Sequence, residues 1–298
     1  MMNPPPPRPQ QIIRWSGMSH RGNVRKNNED AFLGVQFDAR EWHYLGKWGE
    51  ANIESVDLVF AVSDGMGGAS AGEFASKIAV EKITKLLPRT FTQAAMGMDF
   101  GFGDILAELY TEIHKALTYL GACIPECEGM GTTLTLVWFT PTRLFFSHLG
   151  DSRLYFAEAA SNQLRQLSED HSHVGWLTRQ GQLTERQARM HPRRNVLQRA
   201  LGAGHQFVEP QVGSVIYQPG DRFLLCTDGL IEGLFDAQLS QMYLDPDQQE
   251  ASQEPGERLV AASMERSGRD NLTALCLEVL DPRHPSPAFP PLRDSFLQ

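Results

Sequence analysis

Leu58-Val-Phe-Ala-Val-Ser63 runs straight into Asp64-Gly65, and the chain then reads as helix twice before it reads as strand again. The run is short, apolar and closed by a turn pair, which predicts a buried strand over Leu58–Val62. Helical spacing follows from about Ala71 to Leu87 and from Asp104 to about Leu120, and the next strand pattern is Thr132–Trp138. Two helices in succession, rather than one after each strand, disfavour a doubly wound parallel sheet. They favour stacked antiparallel sheets with helices outside, an α+β architecture. Further strand patterns lie at Ala31–Val35, Leu144–Leu149, Arg153–Ala157, Arg222–Cys226 and Leu272–Val279, and a third helical pattern at Gly256–Ser267. Gly150-Asp151-Ser152, between two of these strands, predicts a tight hairpin. Residues 173–195 read as an insertion with little core of its own.

The 298 residues carry 27 Lys+Arg against 36 Asp+Glu, a net charge of −9, which disfavours a general nucleic-acid binder. With 41% apolar and 21% charged residues the chain can bury a large core. The longest apolar run, Leu134-Thr-Leu-Val-Trp-Phe139, is strand-sized and far below a membrane span of roughly 18 residues. No signal-peptide pattern opens the chain, so a soluble, cytoplasmic monomer without nucleic-acid or membrane partners is expected. Residues 1–11, with Pro4-Pro-Pro-Pro7, and residues 282–298 read as proline-rich disordered tails, or as ligands of a proline-binding module. One domain over 12–281 lies between them. Cys226 and Cys276 fall in apolar strands and read as core. The Cys123–Cys127 pair has no second pair to complete a zinc site.

The aspartates fall at strand ends. Arg222-Phe-Leu-Leu-Cys-Thr227 runs into Asp228-Gly229 as Leu58–Ser63 runs into Asp64-Gly65, whereas Asp270-Asn271 opens the strand at Leu272. In antiparallel sheets the start of one strand lies beside the end of its neighbour. Asp64, Asp228 and Asp270 can therefore share one edge, joined by Asp151 at the hairpin tip and by Glu29-Asp30 ahead of Ala31–Val35. Any one Asp-Gly is ordinary turn chemistry. Several carboxylates at one edge repel each other, and no set of lysines lies nearby in sequence to balance them. Oxygen donors of this kind suit Mg²⁺ or Mn²⁺. Glu29, Asp64, Asp228 and Asp270 together carry the charge of two divalent ions, the arrangement that serves displacement at phosphorus. Arg25, four residues before Glu29, is a candidate grip for a substrate phosphate, its alternative being a solvated surface charge.

Assembled in order, these pieces resemble the type-2C metal-dependent protein serine/threonine phosphatases, the PPM family, in their bacterial branch. The resemblance rests on Arg25-Lys-Asn-Asn-Glu-Asp-Ala31, Val62-Ser-Asp-Gly-Met-Gly-Gly68 with Ala71-Gly-Glu73, and Gly129-Met-Gly-Thr-Thr133. It continues through Leu149-Gly-Asp-Ser-Arg153, Leu167-Ser-Glu-Asp-His171, Val196-Leu-Gln-Arg-Ala-Leu-Gly202, Leu225-Cys-Thr-Asp-Gly229 and Gly268-Arg-Asp-Asn271. It implies an αββα sandwich, and hydrolysis of phosphoserine or phosphothreonine by direct attack of a hydroxide bridging two Mn²⁺ or Mg²⁺ ions. By the same resemblance Asp64 bridges the ions and the Gly65 carbonyl is a ligand. Asp228 and Asp270 hold one ion, and Glu29 or Asp30 serves the other or its waters. Arg25 would hold the substrate phosphate, Asp151 with Asp228 would serve a weaker third metal, and 173–195 would form a mobile flap. Phosphorylated proteins, and a serine/threonine kinase to be opposed, are the implied partners.

Three positions depart from the eukaryotic pattern. Met66 stands where those members carry a histidine proposed as general acid. Glu232 stands where they carry a further acid, and is one carbon longer if it joins Asp151 and Asp228 at the third site. The stretch from Phe37 to Asp57 is long and carries Trp42, Tyr44 and Trp48, as a recognition loop or as half-buried padding. Two rival readings are a catalytically inactive scaffold, which the retained aspartates disfavour, and a serine hydrolase using Ser70 in Gly68-Ala-Ser-Ala-Gly72. The latter suffers from the residues inserted between strand and serine. Asp170-His171-Ser172 mimics a triad, but consecutive side chains do not converge.

Overall fold

The computed structural model describes residues 11–283 except 39–40, 55, 68–70, 96–100, 162, 205–207 and 249. Ser70 and both proline-rich ends thus lie outside the described residues. The chain begins with β1 (Ile12–His20), β2 (Asp30–Phe37), β3 (Trp42–Tyr44), β4 (Trp48–Asn52) and β5 (Asp57–Met66). Helices α1 (Ala71–Ala95) and α2 (Phe102–Cys123) follow in direct succession, as the spacing predicts. Next come β6 (Gly131–Thr132), β7 (Leu134–Phe139), β8 (Leu144–Leu149), β9 (Arg153–Ala157) and β10 (Arg165–Gln166). The predicted insertion holds α3 (His173–Arg179) and α4 (Glu185–Met190). The chain closes with β11 (Leu201–Gly202), β12 (Gln211–Val215), β13 (Arg222–Cys226), α5 (Asp228–Gly233), α6 (Asp236–Leu244), α7 (Pro255–Arg266) and β14 (Leu272–Leu280).

Two antiparallel sheets stack between helical layers. One has the order β10-β9-β13-β14-β1-β4, the other β11-β6-β5-β7-β8-β12 with β2 and β3 joined beside β5. Alternation along single strands explains the layering. On β5, Leu58, Phe60 and Val62 face the opposite sheet, meeting Phe223, Leu225, Leu275 and Leu277 of β13 and β14. Val59 and Ala61 face the other way, onto Ala75, Ala79 and Ile83 of α1 and Leu109 and Ile113 of α2. On β13, Phe223 and Leu225 point inward while Leu224 and Cys226 meet Leu230, Leu239 and Leu259 of α5–α7. Both faces of each central strand are buried, so these strands read as continuous apolar runs although their partners are antiparallel. Among the described residues no helix is long and apolar enough to cross a membrane.

The predicted hairpin at 150–152 is not one. β8 pairs with β7 and β12, β9 with β10 and β13, so Gly150-Asp151-Ser152 carries the chain from one sheet to the other. Gly150 makes this crossing at φ +116, and a Cβ there would lie 2.5 Å from Thr133. Both strands are buried almost throughout, which a two-stranded hairpin at an edge would not allow. The aromatic stretch is split likewise: β3 pairs with β2, and β4 with β1 on the other sheet. Trp42, Tyr44 and Trp48 are 44%, 57% and 51% exposed, so each ring is about half covered.

Candidate metal centre

The strand at Leu58 does not stop before Asp64. It continues through Asp64-Gly65-Met66, with Asp30 directly opposite Asp64 and Gly65 opposite Thr132. The Asp64 carbonyl accepts from the Thr133 N–H at 2.8 Å and the Thr132 hydroxyl at 2.7 Å, and its N–H donates to Thr133 Oγ1 at 3.0 Å. The backbone at the aspartate is thereby clamped. Gly65 packs against the start of α1, where a Cβ would lie 2.0 Å from the Gly72 carbonyl oxygen. Only glycine fits.

Asp228 and Asp270 arrive from the other sheet, at the start of α5 and just before β14. Asp30 stitches the two sheets together: its Oδ2 accepts from Thr227 Oγ1 and Thr273 Oγ1, both at 2.7 Å. Its Oδ1 is buried and has no hydrogen-bond partner. Burial pushes Asp30 up to about 7, opposed by the two threonines and reinforced by Asp228 and Asp270. Asp64 is raised well above the carboxylate range, first by burial and then by Asp30, Asp228, Asp151 and Asp270. Asp151 is raised well above it too, by burial, Asp228 and Asp170 against the pull of Arg153. Asp228 rises to about 6 through burial, Asp270 and Glu232, although a hydrogen bond with Asp64 opposes this. Glu29 rises through burial, against Arg25 and with Asp270 and Glu73. Carboxylates from five separate stretches thus crowd at one end of the stacked sheets, within range of each other's fields. Among the described residues no three His, Cys, Asp or Glu side chains converge into a ready-made metal cage.

Arg25 donates through Nη2 to Asp270 Oδ2 at 2.6 Å, and that bond, against partial burial, keeps the guanidinium charged. Asn271 holds the loop that presents it. Its Nδ2 donates to the Arg21 and Asn27 carbonyls at 2.9 Å, and its Oδ1 accepts from the Glu29 N–H at 2.7 Å. The roles of Asn271, Thr227 and Thr273 escape sequence reasoning, although each sits within three residues of a site aspartate. A small polar residue flanking an acid at a strand end was the available signal.

A cavity of about 770 Å³ opens beside Asp151, Asp228 and Glu232, between α3–α4 and the α5 and α7 helices. Arg25, Asp64 and Asp270 are not part of its wall. Glu232 Oε1 lies 3.5 Å from Arg194 Nε, so this acid is engaged with a cation of the insertion. The insertion itself is anchored. Arg189 donates to the Glu232 carbonyl at 3.1 Å, the Leu234 carbonyl at 2.6 Å and Glu185 Oε1 at 2.8 Å, with its guanidinium 3.9 Å above the Phe235 ring. The apparent triad dissolves. Asp170 is held by Arg153 Nη2 at 2.7 Å, Ser172 Oγ accepts from the Gly175 N–H as the cap of α3, and His171 Nδ1 accepts from the Gly150 N–H. Cys226 and Cys276 are buried and Cys123 exposed, and burial pushes the Cys226 thiol up to about 12.

The sequence pattern of protein phosphatase 2C matches residues 47–266. This chain belongs to the protein phosphatase 2C family. It is 33% identical over 273 residues to the serine/threonine protein phosphatase PstP of Mycobacterium tuberculosis, covering 91% of this chain and 46% of that protein. The chain therefore spans about half the length of that curated relative. The serine/threonine phosphatase stp of Listeria welshimeri is 31% identical, with 87% of this chain and 92% of that one covered. The crystal structure of M. tuberculosis PstP/Ppp superposes at TM-score 0.67 and 32% identity, covering 91% of this chain and 99% of that one. The PstP catalytic domain in complex with two manganese ions gives TM-score 0.66 at 31% identity, covering 91% of this protein phosphatase 2C chain and all of that one.

Proposed function

We propose that this chain is a metal-dependent protein serine/threonine phosphatase, acting on phosphoserine and phosphothreonine in proteins and opposing a serine/threonine kinase. The crowding of Asp30, Asp64, Asp151, Asp228 and Asp270 carries the reading. Asp30, Asp151, Asp228 and Asp270 all raise the pKa of Asp64, and Asp30 keeps an unpartnered buried oxygen, so the ensemble suits divalent cations better than its own company. The donors are all hard oxygens, which fit Mn²⁺ or Mg²⁺. In this reading Asp64 and the Gly65 carbonyl would hold the ions, with Asp228 and Asp270 serving one and Glu29 or Asp30 the other. A weaker third ion would draw on Asp151 and Asp228, with Glu232 beside them. Bound there, the ions supply Lewis-acid activation and charge neutralisation for displacement at phosphorus.

The remaining work falls to the chain. Arg25, fixed by Asp270 and by the Asn271 staple, presents a planar cation for two phosphate oxygens. Met66 lies in β5 and carries no proton to give, so the leaving group takes its proton from elsewhere. Residues 12–281 would form the catalytic domain, and α3–α4 would wall its cleft. The names of the PstP and stp relatives support the substrate class.

The test is a metal titration of phosphopeptide hydrolysis. Turnover is expected only with added Mn²⁺ or Mg²⁺, and full activity in excess EDTA would reject the reading. In the same assay Arg25→Ala is expected to lower kcat/KM about 10–100-fold, the worth of hydrogen bonds to a charged group. Most of that loss should appear in KM, because the grip on phosphate is similar in ground and transition states. A collapse of kcat at constant KM would contradict it.

A further inference from the structure

The cavity beside Asp228 is lined by six arginines, and their pairing is uneven. Arg153 is bound to Asp170 at 2.7 Å, Arg179 to Glu169 at 3.3 Å, Arg189 to Glu185 at 2.8 Å and Arg194 to Glu232 at 3.5 Å. Arg266 reaches only the Ala262 carbonyl, at 2.7 Å, and has no carboxylate partner among the described residues. Arg269 has neither hydrogen bond nor ion pair among them. Of the acids in the same wall, Asp151 and Asp228 are the two without an ion pair among the described residues, and these are the ones assigned to cations above. Once they are neutralised, five acids, Asp236 beside Arg153 among them, face the six arginines, and the wall keeps an excess of one positive charge, with Arg266 and Arg269 the two guanidiniums that no carboxylate holds among the described residues.

Their place in the chain gives them a direction. Helix α7 ends at Arg266, and Gly268 turns the backbone at φ +58, hydrogen-bonded through its carbonyl to the Asn23 N–H at 2.7 Å. The next two residues then diverge in role: Arg269 lines the cavity, while Asp270 holds Arg25. A phosphate gripped by Arg25 therefore lies beside a strip whose next residue faces the cavity. An extended peptide advances about 3.3 Å per residue, and Arg269 is the chain neighbour of the Asp270 that holds Arg25, so a flanking anion within a few residues of the phosphoresidue is the one to test.

We propose that Arg266 and Arg269 form a second anion subsite, which binds a phosphate or carboxylate carried by the substrate within a few residues of the phosphoresidue being hydrolysed. This rests on the phosphatase reading above. The subsite selects doubly phosphorylated or acidic phosphopeptides over neutral ones, because a guanidinium pairs with such groups through two parallel hydrogen bonds.

The experiment compares three phosphothreonine peptides that differ two residues from the phosphate: neutral, glutamate or phosphoserine. Two ratios to the neutral peptide are read, kcat/KM with Mn²⁺ and Kd by fluorescence anisotropy. Wild type should favour the flanking anion about 10-fold in both. In Arg266→Ala/Arg269→Ala both ratios should fall to near one, and Arg266→Lys/Arg269→Lys should recover part. Thermal melts establish that the variants fold. A preference shared by glutamate, or confined to phosphoserine, supports the subsite and names its ligand. A wild-type ratio near one, or a preference that survives the double alanine variant, overturns it. Should no peptide be hydrolysed, the phosphatase reading falls, and the anisotropy ratios decide the subsite by themselves.

Discussion

Asp64→Asn is expected to lose at least ~10²-fold in phosphopeptide turnover at saturating Mn²⁺, about 2.7 kcal/mol of barrier, while melting higher than wild type in metal-free buffer. The two effects have one origin. Asp64 is buried and faces four other carboxylates: Asp30, Asp228, Asp151 and Asp270 all raise its pKa. Removing its charge relieves that repulsion when no ion is present and removes the shared donor when ions are. Asparagine has the same shape, and the clamps on residue 64 from Thr132 and Thr133 are held by its backbone, so they survive the change. Rates at several Mn²⁺ concentrations and a calorimetric melt in EDTA read both effects. An unchanged rate would remove Asp64 from the chemistry. A lower metal-free melting temperature would show that the charge supports the fold instead of straining it.

The layered architecture was legible because both faces of the central strands are buried, which leaves uninterrupted apolar runs with helices paired in sequence between them. The end of β5 was harder. Asp64-Gly65 has the composition of a turn, yet the strand continues because Thr132 and Thr133 supply the hydrogen bonds on the far side, and pairing partners 68 residues away leave no local trace. The 150–152 crossing failed for a related reason. A glycine at φ +116 fits a hairpin and a sheet-to-sheet crossing equally well, and only the partners of β8 and β9 distinguish them. Acidic residues at strand ends could be picked out one by one, since a carboxylate beside an apolar run is conspicuous. Their supports could not. Asn271, Thr227 and Thr273 act through hydrogen bonds to distant loops and strands, and nothing in their spacing announces a partner. The Arg189 anchor is likewise long-range, joining α4 to the end of α5.

In metal-free buffer the protein is expected to lose thermal stability as pH rises from 6.5 to 8, and added Mg²⁺ or Mn²⁺ should abolish that loss. Asp30 is pushed up to about 7 in the fold against about 4 in an unfolded chain, while Asp228, at about 6, has released most of its proton by pH 6.5. The folded state therefore binds more protons than the unfolded one across that interval, and stability falls as pH rises through it. Asp64 and Asp151 are shifted in the same direction and extend the loss upward. Histidines oppose this only at lower pH. Burial lowers His148 to about 4 and His171 to about 3, so their contribution is complete above about 6.5 and is lost as pH falls below it. The interval above 6.5 thus isolates the carboxylates. One ion at 100 times its Kd adds about 2.7 kcal/mol, and for a domain of this size each kcal/mol moves Tm by about 2–4 °C. A metal-induced rise above ~5 °C at pH 8, and smaller at pH 6, follows from those two scales. Asp64→Asn should flatten the metal-free slope and shrink the metal-induced rise together. A metal-free Tm that holds level from pH 6.5 to 8, with no response to either ion, would mean that these aspartates share neither field nor cation.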